Sequence, residues 1–316
     1  MKTIKKVKNR NNKKNIVCVV LIIILLAVLI LTLYFNKRDI TKYILVNANI
    51  SSSIMQNVIV DEAIYLEKVE DEEVKNLIEN IRSEYGLNTS NFGFFYYNVN
   101  TRKYYLYNED KYFTAASTVK VPVAMYYYEK INNGEFTLDS TLKYTSNNFE
   151  AGGGDVTNKY KAGSNIKLSV LLEELIVDSD NTANNILIGN IGFKAYRKEI
   201  KKYSDRDLSS TFYSSNVTTP GYSFDVIMYL YKHSDEFPKL LEDMKKSSFG
   251  EYLKEYLDYD VAHKYGSYNG YVHDYGIIYG KDTYIVGVFT KGKNNADKLI
   301  ANIGKRLIDT VEKNEE

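Results

Sequence analysis

A run of twenty uncharged residues near the beginning, Ile16 to Phe35, constrains this chain more than any other feature of its sequence. At about 1.5 Å per residue, a helix of that length spans roughly 30 Å, the thickness of the hydrocarbon core of a bilayer. A cleaved signal peptide fits less well, because its apolar region is usually about 7–15 residues long and ends at a small-residue cleavage site. Here the polar and charged stretch Asn36 to Asp39 follows instead. The run therefore predicts an uncleaved, single-pass transmembrane helix over residues 16–35.

The charges on the two sides of this segment predict its orientation. Residues 1–15 carry seven Lys and Arg side chains and no carboxylate. Because positive charge is retained on the cytoplasmic side, we expect residues 1–15 to be a cytoplasmic basic segment and residues 36–316 to lie outside the cell membrane. Residues 36–72 have no clear hydropathy period, and we assign them to a membrane-proximal stalk.

Composition excludes several classes of function. Of the 41 basic and 40 acidic residues, seven basic ones precede residue 16, which leaves 34 basic and 40 acidic residues and a net charge of −6 on the rest of the chain. A mildly acidic body lacks the cationic surface that binds phosphates, so we expect no nucleic-acid partner. Cys18 is the only cysteine and there are three histidines. A disulfide framework and a thiolate zinc cluster within the chain are excluded, and we expect no metal and no cofactor.

The order of helical and β-type patterns from residue 73 onward predicts an α+β fold. The simplest assembly is one five-stranded antiparallel sheet flanked by the N- and C-terminal helices, with an inserted all-helical subdomain. Residues 73–114 and 259–316 would form the α/β part of this domain (73–316), and residues 115–258 the helical part. The predicted strands are 92–99, 103–107, 261–264, 270–279 and 283–290, and the predicted helices are 74–86, 117–131, 169–177, 182–201, 223–232, 239–258 and 294–313.

The sequence Ser117-Thr118-Val119-Lys120 opens one of these helical patterns. Residues i and i+3 share one face of a helix, so the Ser117 hydroxyl and the Lys120 amine could meet there. Serine becomes a good nucleophile when a base takes its proton, and lysine can be that base if burial or a neighbouring cation lowers its pKa. The same spacing occurs at residues 140–143 and 164–167, which we interpret as solvated turns because they lie in polar, loop-like stretches.

Two further short motifs follow along the chain. Ser179-Asp180-Asn181 lies between two helical patterns, where Asp180 fits a helix cap and Ser179 and Asn181 are left to face a site. The sequence from Lys264 to Ser267, which reads Lys-Tyr-Gly-Ser, ends a β-type run. Each motif alone is weak evidence. Their order is more specific, because the first opens a helix, the second falls between helices and the third lies on a late strand.

This arrangement resembles the class A β-lactamases and the wider family of penicillin-binding serine hydrolases. The resemblance covers about residues 73–313 and is carried by FTAASTVKVPVAM, LIVDSDNTANNILI and VAHKYGSYNGYVHDYGIIYG. It implies a β-lactamase/transpeptidase-like fold and the formation of an acyl-enzyme. The expected partner is a small-molecule β-lactam or a peptidoglycan peptide ending in D-alanine, and the membrane is contacted through residues 16–35.

The resemblance also implies roles for catalytic side chains. Ser117 would attack the carbonyl carbon, with Lys120 as its base or as part of a base relay. Ser179 would pass a proton to the leaving nitrogen. Lys264 would supply positive charge for the substrate carboxylate and help to keep Lys120 neutral.

The remaining site residues would bind the substrate. Asn181 would hydrogen-bond the substrate amide and help to position Lys120. The backbone N–H groups of Ser117 and Ser267 would form the oxyanion hole. Tyr265 and Gly266 would lie beside the substrate, on the strand that carries Lys264.

Two departures from the family pattern affect these expectations. Tyr265 stands where the family usually has a Thr or Ser whose hydroxyl contacts the substrate carboxylate. The stretch YSDRDLSSTFYSSNV before Thr218 also contains no glutamate to activate the hydrolytic water. Asp205 and Asp207 are the nearest carboxylates, and we interpret them as exposed turn residues near Arg206. We therefore expect slow deacylation and weak β-lactam hydrolysis.

Two alternatives remain open from the sequence. A D,D-peptidase acting on peptidoglycan stem peptides would suit the missing glutamate and the anchor. The alternative from another class is a β-lactam or peptidoglycan sensor that acylates once, or a scaffold that has lost catalysis. A triad built on His263 or His273 is disfavoured, because both lie in strand-like runs and the chain has no Gly-x-Ser-x-Gly sequence.

Overall fold

The computed structural model describes residues 69–247 and 252–313. The predicted cytoplasmic segment (1–15), the predicted transmembrane helix (16–35) and all but the last residues of the predicted stalk (36–72) lie outside these ranges. None of the helices within them is long and apolar enough to cross a membrane.

Strands and helices alternate along the described chain in blocks. The strands are β1 (Val69–Glu70), β2 (Phe92–Asn98), β3 (Lys103–Tyr107), β4 (Phe113–Thr114), β5 (Thr141–Lys143), β6 (Asn165–Lys167), β7 (Val217–Thr218), β8 (Asp260–Tyr268), β9 (Tyr271–Tyr279) and β10 (Thr283–Lys291). The helices are α1 (Glu72–Tyr85), α2 (Lys120–Asn132), α3 (Val156–Lys159), α4 (Leu168–Ile176), α5 (Asn181–Ile191), α6 (Phe193–Ile200), α7 (Ser210–Ser214), α8 (Pro220–Lys232), α9 (Pro238–Lys246) and α10 (Ala296–Val311).

The main sheet has the order β1-β3-β2-β10-β9-β8. Its five longer strands pair antiparallel, as the sequence predicts. The sixth strand, β1, runs parallel to β3 at the edge. It lies in the part of the chain that we assign to the stalk from the sequence, because two residues are too few to show the period of a strand. The sheet domain therefore begins a few residues earlier than predicted.

Both faces of the sheet are covered. Alternate residues of a strand point to opposite faces, so neighbouring residues pack into different cores. On β2, Phe94 packs into a core with residues of α1 and α10, whereas Phe95 packs into the larger core shared with the helical subdomain. The N- and C-terminal helices thus lie on one face, and the inserted helices lie on the other. The N-terminal helix α1 is capped by the Asp71 carboxylate, which accepts hydrogen bonds from the backbone N–H groups of Glu73 and Val74.

The helical subdomain differs in detail from the sequence prediction. The predicted helix 182–201 is two helices, α5 and α6, separated at Gly192, whose φ of 86° is incompatible with a right-handed helix. The predicted helix 239–258 ends at Lys246. Two small antiparallel pairs, β4 with β7 and β5 with β6, occupy stretches that carried no strand pattern. The second pair contains Lys143 and Lys167, the lysines of the other two Ser-x-x-Lys sequences (140–143 and 164–167). Both lysines are exposed.

Candidate active site

Ser117 lies in a short 3-10 turn, Ala116–Val119, that leads directly into α2. Side chains at i and i+3 of such a turn eclipse one another, so Ser117 and Lys120 point to the same side. The buried residue before the serine, Ala116, has a φ of 49°, a left-handed conformation that a non-glycine residue adopts only when its surroundings impose it. Pro122 falls in the first turn of α2, where a missing N–H group costs no helical hydrogen bond.

The amine of Lys120 is the centre of the polar contacts in this region. Its Nζ lies 2.5 Å from the Ser179 carbonyl oxygen, 3.1 Å from Ser179 Oγ and 2.8 Å from Asn181 Oδ1. The side chain is 2% exposed. Burial lowers the pKa of Lys120 to about 7, although the carboxylates of Asp180 and Glu150 oppose this shift.

These contacts define what the amine can do. A neutral amine has two N–H groups, which satisfy the Ser179 carbonyl and the Asn181 side-chain carbonyl, and one lone pair, which remains available to a hydroxyl. The sequence predicts a contact between the Lys120 amine and the Ser117 hydroxyl. Among the hydrogen bonds of the described residues, the hydroxyl that Lys120 contacts is that of Ser179, and Ser117 makes no side-chain hydrogen bond.

The Ser179-Asp180-Asn181 segment is held in place by its middle residue. Asp180 caps α5 by accepting from the Ala183 N–H at 2.7 Å, and its second oxygen accepts from the Val156 N–H at 3.0 Å. Ser179 itself has a φ of 57°. The cap suggested by the sequence is therefore present, and it turns Ser179 and Asn181 toward the amine of Lys120.

A glycine run packs against this segment. Gly152, Gly153 and Gly154 all have positive φ values. A Cβ atom on Gly153 would come within 2.7 Å of the Ser179 carbonyl oxygen, and one on Gly154 within 2.3 Å of the Asp180 side chain. Only glycine permits this close approach. The sequence shows the run, but nothing in its spacing indicates that it borders the site.

Strand β8 brings the third motif to the same place. It is the edge strand of the sheet, next to β9, and its free edge lies against the turn that bears Ser117. A Cβ atom on Gly266 would lie 2.7 Å from Ser117 N and 2.9 Å from Thr118 N. The glycine of the Lys-x-Gly motif is thus required by backbone packing.

Lys264 and Tyr265 occupy unexpected positions on this strand. Lys264 is 0% exposed, and its Nζ has no hydrogen-bond partner among the described residues. It lies 4.2 Å from the centroid of the Tyr265 ring. Burial, and then the positive charge of Lys120, lower the pKa of Lys264 well below its usual value. The amine expected to face a substrate carboxylate therefore lies behind the wall of the site.

The three motifs surround one open cleft of about 650 Å³. It contains Ser117, Ser179, Asn181, Tyr265 and Ser267 from the predicted set, whereas Lys120, Lys264 and Gly266 lie behind its surface. Val177, Asp178 and the glycine run complete the lining. Sequence reasoning missed these residues, although Val177 and Asp178 directly precede Ser179.

The loop before Thr218 contributes no carboxylate to the cleft lining. Asp205 and Asp207 are exposed, as the sequence predicts. Arg206 is ion-paired with Glu109, Asp110 and Asp225. The loop touches the nucleophile-bearing turn through an amide, since Asn216 Nδ2 donates to the Ala116 carbonyl oxygen at 3.4 Å.

The two strand histidines belong to the interior and do not reach the cleft. His263 Nδ1 lies 2.8 Å from Asp274 Oδ2, and its Nε2 donates to the Ser247 carbonyl oxygen at 2.7 Å. His273 Nε2 donates to the Thr114 carbonyl oxygen, and its Nδ1 accepts from the Thr290 N–H. Within residues 69–247 and 252–313, no group of three or more His, Cys, Asp or Glu side chains is arranged to hold a metal ion.

Residues 71–311 match the beta-lactamase enzyme family. The chain belongs to this family. It is therefore a serine hydrolase of the class A β-lactamase type, with the α+β fold that the motifs predict.

Solved structures with this fold include both β-lactamases and a penicillin-binding protein. A PBP-A variant in an acyl-enzyme complex with penicillin G has a TM-score of 0.68 at 20% identity, covering 78% of this chain and 98% of that one. A beta-lactamase from Sphaerobacter thermophilus has a TM-score of 0.64 at 23% identity, over 75% and 96% of the two chains. The extended-spectrum beta-lactamase TLA-1, in a variant form, has a TM-score of 0.68 at 20% identity, over 75% and 99%.

Proposed function

We propose that this family member is an extracytoplasmic serine hydrolase, anchored in the cell membrane by residues 16–35, that forms an acyl-enzyme through Ser117. The acyl donor is a β-lactam or a D-alanyl peptide. The observation that supports this most is the buried Lys120 amine, whose contacts with Ser179 and Asn181 join two motifs beside the turn that bears Ser117. The PBP-A variant of the same fold forms such an acyl-enzyme with penicillin G.

In the acylation step, Ser117 Oγ attacks the carbonyl carbon of the donor as the neutral Lys120 amine takes its proton, directly or through the Ser179 hydroxyl. The carbonyl C–N bond then breaks, and Ser179 delivers a proton to the leaving nitrogen. The negative charge on the carbonyl oxygen is stabilised by the N–H groups of Ser117 and Ser267, which Gly266 allows to approach each other.

Deacylation is the slow step in this proposal. Water needs a base to attack the acyl-enzyme efficiently. The loop before Thr218 supplies no carboxylate to the cleft, and Asp178, which lines it, is largely exposed beside Ser179. β-Lactam hydrolysis is therefore weak. The same observation favours, as a second candidate, a D,D-peptidase that acts on peptidoglycan stem peptides and is trapped by β-lactams.

Rapid-mixing kinetics of the full chain in detergent micelles test the proposal. With a chromogenic β-lactam, we expect a burst of about one product per protein followed by much slower turnover. D-alanine release from a peptide ending in D-alanyl-D-alanine is measured in parallel. Ser117→Ala should abolish the burst. Ser140→Ala, at the first residue of the Ser-x-x-Lys sequence at 140–143, should leave the burst unchanged.

Each contrary result has a distinct meaning. Rapid turnover without a burst would show that a base for deacylation is present in the cleft. A burst that survives Ser117→Ala would identify another nucleophile. The absence of both burst and D-alanine release would favour a scaffold that has lost catalysis.

A further inference from the structure

We propose that Tyr265 makes this site favour, among β-lactams and D-alanyl peptides, those in which the carboxylate beside the scissile bond is masked, because its side chain closes the cleft off from the Lys264 amine. The inference rests on the proposed acyl-enzyme chemistry at Ser117 and concerns the choice of substrate. It assigns to Tyr265 a specificity role that depends on where its ring lies.

The position of Lys264 is the first step of the argument. Its side chain is fully buried and does not contribute to the lining of the cleft. Its Nζ has no hydrogen-bond partner among the described residues. The Tyr265 ring, whose centroid is 4.2 Å away, is the aromatic surface that the amine contacts. A substrate carboxylate in the cleft therefore meets the tyrosine and not the lysine.

The tyrosine is fixed on both sides. Its ring stacks on Tyr252 with centroids 5.0 Å apart and an angle of 10° between the ring planes. Its hydroxyl hydrogen-bonds the Ser179 side chain, which joins β8 to the opposite wall of the cleft. The side chain is 7% exposed. Moving the side chain aside would break both the stacking and the hydrogen bond. The Tyr265 ring therefore lies between the cleft and Lys264 before any substrate binds.

The electrostatics of the lining agree with this geometry. Burial raises the pKa of Tyr265 to about 12, so its hydroxyl is neutral at physiological pH. The lowered pKa of the covered Lys264 favours a neutral amine. Asp178 is the carboxylate in the lining, and the lining contains no Lys or Arg side chain.

These charges decide which donor fits. An anionic group that enters the cleft loses hydration and gains no cationic partner, which is unfavourable. A neutral amide or ester at the same place has no such cost. The structure thus favours donors in which the carboxylate is masked, such as a peptide bond in the interior of a chain.

A matched pair of acyl donors tests this directly. Benzylpenicillin and its methyl ester share the reactive ring and differ in the charge beside the scissile bond. The second-order rate constant of acylation is measured for both by intact-protein mass spectrometry on the full chain. For the wild type, we expect the ester to react at least as fast as the acid.

Two substitutions locate the effect. Tyr265→Thr uncovers Lys264 and should speed acylation by the acid about tenfold or more, the effect of gaining one hydrogen bond to a charged group, with little change for the ester. Adding Lys264→Met should remove this gain. Tyr265→Phe is the matched control, because it keeps the ring and should keep the wild-type ratio of the two rate constants.

The outcomes separate this inference from the proposed function. If the wild type reacts about tenfold faster with the acid than with the ester, or if Tyr265→Thr leaves the ratio unchanged, the inference is wrong while the acyl-enzyme chemistry stands. If neither donor acylates the wild type, the proposed function fails and the inference fails with it. The wild-type ratio is informative even if a variant does not fold.

Discussion

At the scale of single residues, the chemistry of the site depends on the charge of Lys120. Its amine is buried and has two fixed acceptors, the Ser179 carbonyl oxygen and Asn181 Oδ1. Burial favours the neutral form and lowers the pKa of Lys120 to about 7, so the protonated amine predominates only below this pH. A protonated amine has no lone pair and cannot accept the Ser117 proton.

This predicts the pH dependence of acylation. The rate constant should rise with pH through about 7 and fall about tenfold for each pH unit below it, because only the neutral amine acts as the base. Acylation by a β-lactam is measured from pH 5 to pH 9. Lys120→Arg should lower the rate at least about a hundredfold over the whole range, since a guanidinium group is not deprotonated in this range. A pH-independent rate in the wild type would contradict this role.

At the scale of secondary-structure elements, the site is assembled where the edge of β8 meets the turn that bears Ser117. The contact is backbone against backbone at Gly266, with Ser117 N only 2.7 Å from where a Cβ atom would lie. The sheet register then places Ser267 at the cleft and Tyr265 on its wall.

Gly266→Ala should therefore impair acylation much more than stability. The added methyl group pushes β8 away from the turn, and we expect acylation to fall at least about a hundredfold while overpacking lowers the free energy of unfolding by about 1–3 kcal/mol. Gly134→Ala is the matched control. It has a φ of 76° and nothing within 4 Å of the added Cβ, so it strains the backbone without touching the site. Full acylation by Gly266→Ala would mean that the close approach is not required.

The pairing of β8 with β9 also buries a hydrogen-bonded pair, His263 with Asp274, both fully inaccessible to solvent. His263→Leu should lower the free energy of unfolding by about 3–5 kcal/mol, because it leaves the buried Asp274 carboxylate with the Leu253 N–H but without its side-chain partner. Denaturant unfolding measures this. The double variant with Asp274→Leu should recover much of the loss. Additive losses in the double variant would show that the pair does not act as a unit.

The three motifs and the succession of helices and strands along the chain were predictable from the sequence because they depend on local patterns: a serine and lysine at helical spacing, an aspartate before a helix, and an aromatic-rich run at β2. Other features depend on tertiary contacts. The covering of Lys264 by Tyr265 depends on the stacking of Tyr252 and on Ser179, which are distant from it in the chain. The border formed by Gly152 to Gly154 depends likewise on packing against Ser179 and Asp180.

At the scale of the whole molecule, the cleft lies between the edge of the sheet and the helical subdomain, and the loop before Thr218 borders the same turn. That loop is held by buried Arg197, which donates to the carbonyl oxygens of Phe212 and Val217. Its two aspartates, Asp205 and Asp207, point to solvent.

Removing both loop carboxylates should therefore have no effect on turnover. The variant with Asp205→Asn and Asp207→Asn should hydrolyse its acyl-enzyme within about twofold of the wild-type rate, as expected for exposed side chains away from the site. Decay of the penicilloyl adduct after removal of free penicillin gives this rate. A tenfold slower decay would indicate that one of these carboxylates reaches the acyl group.

The central claim is that Ser117 becomes acylated, and peptide mapping by mass spectrometry tests it most directly. After incubation of the full chain with benzylpenicillin, we predict one adduct per protein, located on the peptide that contains Ser117 and absent in Ser117→Ala. An adduct on any other residue, or an equal adduct in Ser117→Ala, would contradict the account.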